Sequence, residues 1–281
     1  MRLKETLAWA RSQWGIFQRD DMSAQEVLRW FLYWVPFGAR TAGFGTLSLA
    51  LGPLTRDHRA STWAMKRWSQ VSLDRLGIRT TVSGTDGVPT GGHMYASNHQ
   101  SLLDILVLGA CLPGDIKWAA KRSILRVPFL GWHLALSGHV PVDRQAGKKA
   151  AVEIIRRLEA VMRAGKPLLI FPEGTRSEDG QVKDFKDGGF YAAVRAGKPV
   201  VPVVVDGTYQ IMGKHALDIG EMAARNSSVQ RHVDIVIGAP LHAQPDGSDR
   251  ERVGELRDRC RQTIIAMLAE VRARGGGEAG A

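Results

Sequence analysis

Seven short strand-like runs constrain this chain more than anything else in it. They are Ile78–Val82, Met94–Ser97, Ile116–Ala120, His139–Val142, Leu168–Phe171, Val200–Val205 and Val233–Ile237. Each is too short for a helix and is set off by glycine, proline or polar residues. Helical patterns fill the gaps. Ala151, Ile154, Ile155, Leu158, Val161 and Met162 recur on one face of an amphipathic helix ended by Gly165. Ala192–Ala196 forms another helix, stopped by Gly197 and Pro199, and a last one spans about Arg250–Arg274 before a Gly-rich tail read as disordered. Short apolar strands alternating with helices imply an α/β sandwich, a mixed and largely parallel sheet flanked by helices. In such folds functional residues gather on the loops leaving the strands.

Ahead of this pattern lies a different stretch. From Trp30 to Leu54 the one charged residue is Arg40. Twenty-five residues just reach across a bilayer core of about 30 Å. Pro36, Gly38 and Arg40 stand near the middle, however, where an unpaired arginine costs roughly 3 kcal/mol. The expectation is therefore a membrane-associated helical hairpin in one leaflet, hinged between Pro36 and Gly43, with Trp30, Tyr33 and Trp34 at headgroup depth. A helix pair capping a soluble domain is the competing account. Met1–Arg29 has no contiguous apolar region of the signal-peptide kind. Arg56, Arg59, Lys66 and Arg67 then meet anionic headgroups or form the wet face of the helix carrying Trp63, Met65, Trp68, Val71 and Leu76. The chain divides into an N-terminal segment (1–76), a catalytic domain (77–248) and a C-terminal helix with its tail (249–281).

Charge narrows the class of partner. Of the net +10, six charges come from residues 98–176, with 12 Lys/Arg against 6 Asp/Glu. An anionic partner follows, but no Lys/Arg run exceeds two residues and no nucleic-acid-binding signature is present, so nucleic acid is excluded as the expected partner. Anionic lipid, a phosphate-bearing substrate or an acidic acyl carrier fits. Cys111 and Cys260 make neither a metal-ligand pair nor a disulfide framework.

Chemistry concentrates in Asn98-His99-Gln100-Ser101-Leu102-Leu103-Asp104, at the junction of two apolar runs. Residues five apart on a helix do not face each other, so His99 belongs to the entering loop and Asp104 to the first helical turn, reaching back to one imidazole nitrogen. A carboxylate there sets the tautomer and leaves the other nitrogen to take a proton from a hydroxyl. A second segment, Phe171-Pro172-Glu173-Gly174-Thr175-Arg176-Ser177, brings carboxylate, glycine and guanidinium together just after the apolar Leu168-Leu169-Ile170.

This pairing of N-H-x4-D with F-P-E-G-T-R-S resembles the glycerolipid acyltransferases of the lysophosphatidic acid acyltransferase type. Gly138–Arg144 and Val200–Val205 look like the remaining family motifs, and the resemblance covers roughly Met94–Gly207. It implies direct acyl transfer from acyl-CoA or an acyl carrier protein to the sn-2 hydroxyl of lysophosphatidic acid, giving phosphatidic acid. His99 is then the base and Asp104 its orienting carboxylate. Arg144 and Arg176 bind the acceptor phosphate. Lys121 and Arg122 add positive charge at the mouth, and Glu173, Gly174 and Thr175 complete the substrate-binding set. Glu173 orients the acceptor's second hydroxyl or holds Arg176. Where the family usually has an aromatic before the Asp/Glu-Arg pair, Val142 stands here. No G-x-S-x-G elbow, Walker loop or dinucleotide fingerprint occurs, so the expectation includes no cofactor beyond the acyl donor. Membrane lipids are the expected partners and the cytoplasmic face of the inner membrane the expected place. An acceptor such as a lyso-ornithine lipid, or a non-catalytic membrane-surface relative, stays open.

Overall fold

A computed structural model describes residues 24–55, 59–143, 147–213 and 231–278. Seven strands among these residues form one sheet: β1 (Arg79–Ser83), β2 (Met94–Ser97), β3 (Lys117–Lys121), β4 (Val140–Val142), β5 (Leu168–Ile170), β6 (Val200–Asp206) and β7 (His232–Ile237). Every strand begins and ends within one residue of the run read from the sequence. Spatial order is β1-β7-β6-β2-β5-β3-β4, with all pairings parallel except β6 against β7. The expected mixed, largely parallel sheet is what forms.

Helices bury both faces of the sheet, which is why the central strands are apolar along their whole length. In β2 all four residues are buried and alternate between two cores. Tyr95 joins a core with Trp68 and Leu76 of helix α2 (Arg59–Leu76) and Leu103 and Val107 of α3 (Leu103–Cys111). Met94 and Ala96 join the other. That second core holds Leu158 and Met162 of α5 (Lys148–Arg163) and Phe190 of α6 (Gly188–Ala196), with Leu256, Cys260 and Ile264 of α8 (Asp249–Glu278). Full burial of a side chain such as Phe190 contributes about 1.5–3 kcal/mol. Helix α8, set apart on the sequence as a C-terminal segment, is thus integral to this core. It runs past Arg274 through three glycines to Glu278, where the sequence placed a disordered tail. Extending an existing helix adds one hydrogen bond per residue, which offsets part of the roughly 1 kcal/mol cost of each glycine.

The N-terminal hairpin requires correction. Helix α1 (Ala24–Leu51) is continuous through Pro36, and the reversal comes at the 3₁₀ turn Gly52–Leu54 rather than between Pro36 and Gly43. Pro36 lacks the N–H that would bond the Leu32 carbonyl. Packing outweighs that single missing bond: Trp34, Phe37 and Phe44 lie against the α2/α3 core, and the Phe37 and Trp68 rings are 5.9 Å apart. Trp34, expected at headgroup depth, is half-buried and packs against this protein core. Among the described residues no helix is long and apolar enough to cross a membrane. Short α4 (Leu130–Leu136) packs on α1, and α7 (Thr208–Ile211) follows β6.

Candidate active site

β2 ends at Ser97, and the next residues turn sharply at the carboxyl end of the parallel strands. Asn98 sets this turn. Its Nδ2 donates to the Val205 carbonyl and its Oδ1 accepts the Val205 N–H, each at 2.9 Å, clamping the loop to neighbouring β6. The loop carbonyl of His99 accepts the Ser177 N–H at 2.7 Å, and the His99 N–H donates to Glu173 Oε1 at 2.8 Å. The two sequence motifs are thus joined through backbone atoms of the candidate base itself.

His99 lies in the entering loop and Asp104 in the first turn of α3, as the spacing requires. Nδ1 of His99 is 2.8 Å from Asp104 Oδ2, and Asp104 is fully buried. The same oxygen accepts the backbone N–H groups of Gln100 and Ser101, at 2.7 and 2.9 Å. Oδ1 accepts the Thr208 hydroxyl at 2.6 Å. A carboxylate held by four donors cannot swing away, so the imidazole it binds keeps one orientation. Phe171 stacks on that ring, centroids 3.9 Å apart and 14° from parallel. The His99 Nε2 makes no hydrogen bond to the described residues.

Glu173 is also buried, and of its two anticipated places the one beside Arg176 is not taken. Its second oxygen accepts the Lys183 N–H at 3.1 Å, so both oxygens hold backbone and neither holds Arg176. Burial pushes its pKa up to about 7 despite those two donors. Gly174 follows with φ +73°, a left-handed conformation that calls for glycine; the nearest neighbour of a Cβ there would be the flexible end of Lys186. Thr175 is half-buried on the same turn. Arg176 is half-buried, and its Nη1 makes no hydrogen bond among the described residues. Burial lowers the guanidinium's pKa while the charge of Asp104 acts in the opposite direction. A cation shielded from water with an unused donor is suited to an anionic group of a ligand.

Not every anticipated residue joins this cluster. Lys121 stands exposed at the end of β3, two strands from β2. Arg144 lies outside the described residues. His133 and His139 are buried and bonded within the fold, the former to Ser48, the latter accepting the Trp118 N–H. No group of three or more His, Cys, Asp or Glu able to hold a metal occurs among the described residues.

Thr208 was missed on the sequence. One signal pointed to it: it follows a glycine at the end of an apolar strand, the position where functional groups gather in this class of fold. Gly207 has φ +101°, and a Cβ there would sit 2.3 Å from the His232 carbonyl. That turn aims Thr208 at Asp104.

The chain matches the family described as Acyltransferase over residues 79–206. It is 29% identical over 255 residues to a 1-acyl-sn-glycerol-3-phosphate acyltransferase of Pseudomonas aeruginosa, covering 89% of this chain and 94% of that one. With the Saccharomyces cerevisiae protein of the same name it shares 30% identity over 233 residues, 81% of this chain and 73% of the relative. Among solved structures, the 1-acyl-sn-glycerophosphate (LPA) acyltransferase PlsC of Thermotoga maritima superposes with a TM-score of 0.72 at 23% identity. That match covers 89% of this chain and 97% of the other, and it is a likeness of fold.

Proposed function

Since the chain belongs to the acyltransferase family, we propose that it is a 1-acyl-sn-glycerol-3-phosphate acyltransferase. It transfers a fatty acyl group from acyl-CoA or an acyl carrier protein to the sn-2 hydroxyl of lysophosphatidic acid. The observation that carries the chemistry is the 2.8 Å contact between His99 Nδ1 and Asp104 Oδ2, with Nε2 left without a hydrogen bond among the described residues. Nε2 takes the hydroxyl proton as the oxygen attacks the thioester carbonyl. The C–O bond forms, the C–S bond breaks, and the imidazolium returns its proton to the departing thiolate. No acyl-enzyme intermediate is required. Asp104 keeps the tautomer and stabilises the transient imidazolium. Arg176 binds the acceptor phosphate, with Arg144 as a further cation and Gly174 and Thr175 lining the approach; Glu173 serves by holding the His99 backbone.

Acceptor and product are membrane lipids, so the enzyme works at a membrane surface, on the cytoplasmic face where the donor is supplied. Helix α1, with Leu32 and Val35 exposed, is an attachment element there.

The test is an assay of purified protein with labelled acyl-CoA and acyl carrier protein against a panel of lysolipids. Lysophosphatidate should be preferred in direct competition. Preference for an uncharged or zwitterionic lysolipid overturns the acceptor while leaving the chemistry intact. His99→Ala should lose about 10²- to 10⁴-fold in rate with folding retained, and activity within about threefold of wild type sinks the base assignment.

A further inference from the structure

The excursion between β3 and β4 has a composition its packing does not explain. From Ile116 to Val142 it contains no carboxylate. Lys117 is buried and paired with Asp115, but Lys121, Arg122 and Arg126 are exposed and form no ion pair with the described residues. Helix α4 follows. It turns Gly131, His133, Leu134 and Ser137 inward and leaves Trp132, Ala135 and Leu136 outside. Those three positions lie at i, i+3 and i+4, hence on one face. Trp132 is 50% exposed and Leu136 59%, so a single two-turn helix holds two of the large apolar side chains that this protein leaves in water.

We propose that the outer face of α4, with the cations leading into it, is a second membrane-docking surface whose occupant is an anionic phospholipid bilayer. A short helix with an apolar outer face and basic flanks sits in the headgroup boundary. Tryptophan favours that depth, and each cation near an anionic surface strengthens binding. Position supports the same conclusion. β3 runs parallel to β5, so Lys121 and Arg122 leave the sheet at the end that carries His99 and Glu173. Helix α4 is also tied to α1: Ser48 Oγ lies 2.6 Å from His133 Nδ1, and Gly45 abuts Phe129, where a Cβ would approach to 2.7 Å. Contact through α4 therefore brings the catalytic end of the sheet to the same lipid surface as α1, through side chains that α1 does not supply. The inference rests on the reading that the acceptor resides in a membrane.

The experiment uses the full chain and flotation with vesicles of phosphatidylcholine, alone or mixed with phosphatidylglycerol. Trp132→Ser combined with Leu136→Ser should lower the partition coefficient on both vesicles by about tenfold or more, from loss of the two apolar side chains. Arg126→Gln should lower it by about fivefold on the anionic vesicles alone. Val152→Ser, an exposed apolar residue on α5, should change nothing. Activity of the double variant should fall on vesicle-embedded acceptor and stay at wild-type level on a short-chain, soluble acceptor. Equal loss on both acceptors, or unchanged partition, overturns the proposal. So does a raised KM for acyl carrier protein with unchanged partition in Arg126→Gln, which would assign the face to an acidic protein donor. Should the double variant fold poorly, brominated lipids decide: the fluorescence lost in Trp132→Phe must be the quenched fraction, and an unquenched Trp132 overturns the proposal. Vesicle binding is read without turnover, so failure of the function assignment and failure of this surface are separable.

Discussion

Replacing Asp104 by asparagine separates two ways a carboxylate supports a histidine base. Asparagine has one acceptor oxygen and one donor NH2. If the NH2 took the Oδ2 position, it would force Nδ1 of His99 to accept and place the proton on Nε2, the tautomer that cannot act as a base; such a change costs on the order of 10⁴-fold. The structure argues against that orientation. Oδ2 also receives the backbone N–H groups of Gln100 and Ser101, and an NH2 there would face both at under 3 Å. Across from it, the Thr208 hydroxyl can rotate to accept from an NH2 at the Oδ1 position. The amide oxygen therefore stays with His99 and the tautomer survives. What is lost is the charge that stabilises the imidazolium. Two unit charges about 4 Å apart interact by about 4 kcal/mol at an effective dielectric constant of 20, which makes roughly 10³-fold the ceiling. Asp104→Asn should thus lose about 10²- to 10³-fold in kcat/KM, less than the wrong tautomer would cause. ¹⁵N-correlated NMR of the histidine ring should show the Nδ1–H form in both proteins. An Nε2–H signal in the variant, or a loss of 10⁴-fold or more, refutes the reasoning.

Thr208→Val leaves Asp104 Oδ1 without its hydrogen bond at a fully buried position, so urea unfolding should report a loss of about 1–3 kcal/mol and kcat should fall about tenfold at unchanged KM; Thr208→Ser should restore both. Arg176→Ala should remove one or two charge-assisted hydrogen bonds of about 1.5–3 kcal/mol each, lowering kcat/KM for acceptor by tens to thousands of fold while donor KM holds; Arg176→Lys rescues in part, and a shift in donor KM alone would move the guanidinium to the donor's phosphates. Burial holds the pKa of His133 down to about 4, so from pH 6.5 downward the unfolded chain takes up a proton that the folded one refuses. Stability of wild type relative to His133→Gln should therefore fall by about 2 kcal/mol between pH 7 and pH 5, and denaturation curves with equal pH slopes would contradict this.

Much of the molecule was legible in its sequence. Strand positions followed from runs of β-branched and apolar residues bounded by glycine and proline, because burial on both faces leaves no room for polar alternation along a central strand. The His99–Asp104 pair was legible because five residues at a loop-to-helix junction admit few geometries, and both partners are local. Arg176 and Gly174 followed from their place just beyond an apolar strand. The hinge of the N-terminal hairpin was not legible at Pro36, since a proline's cost is local while the packing of Phe37 on Trp68 that helps outweigh it joins residues far apart in the chain. Nor could the antiparallel seating of β7 be told, because an apolar strand has the same pattern in either direction. The remaining decisions belong to tertiary structure alone. Thr208 reaches Asp104 across 104 residues, Asn98 clamps Val205 across 107, and Glu173 takes the His99 N–H across 74. Local propensity carries no information about such pairs; they exist because the sheet order sets β2 between β5 and β6 and so brings three loops to one end. The sequence by itself marked His99, Asp104 and the Glu173–Arg176 turn as the candidate groups, and the order of strands decided what holds them in place.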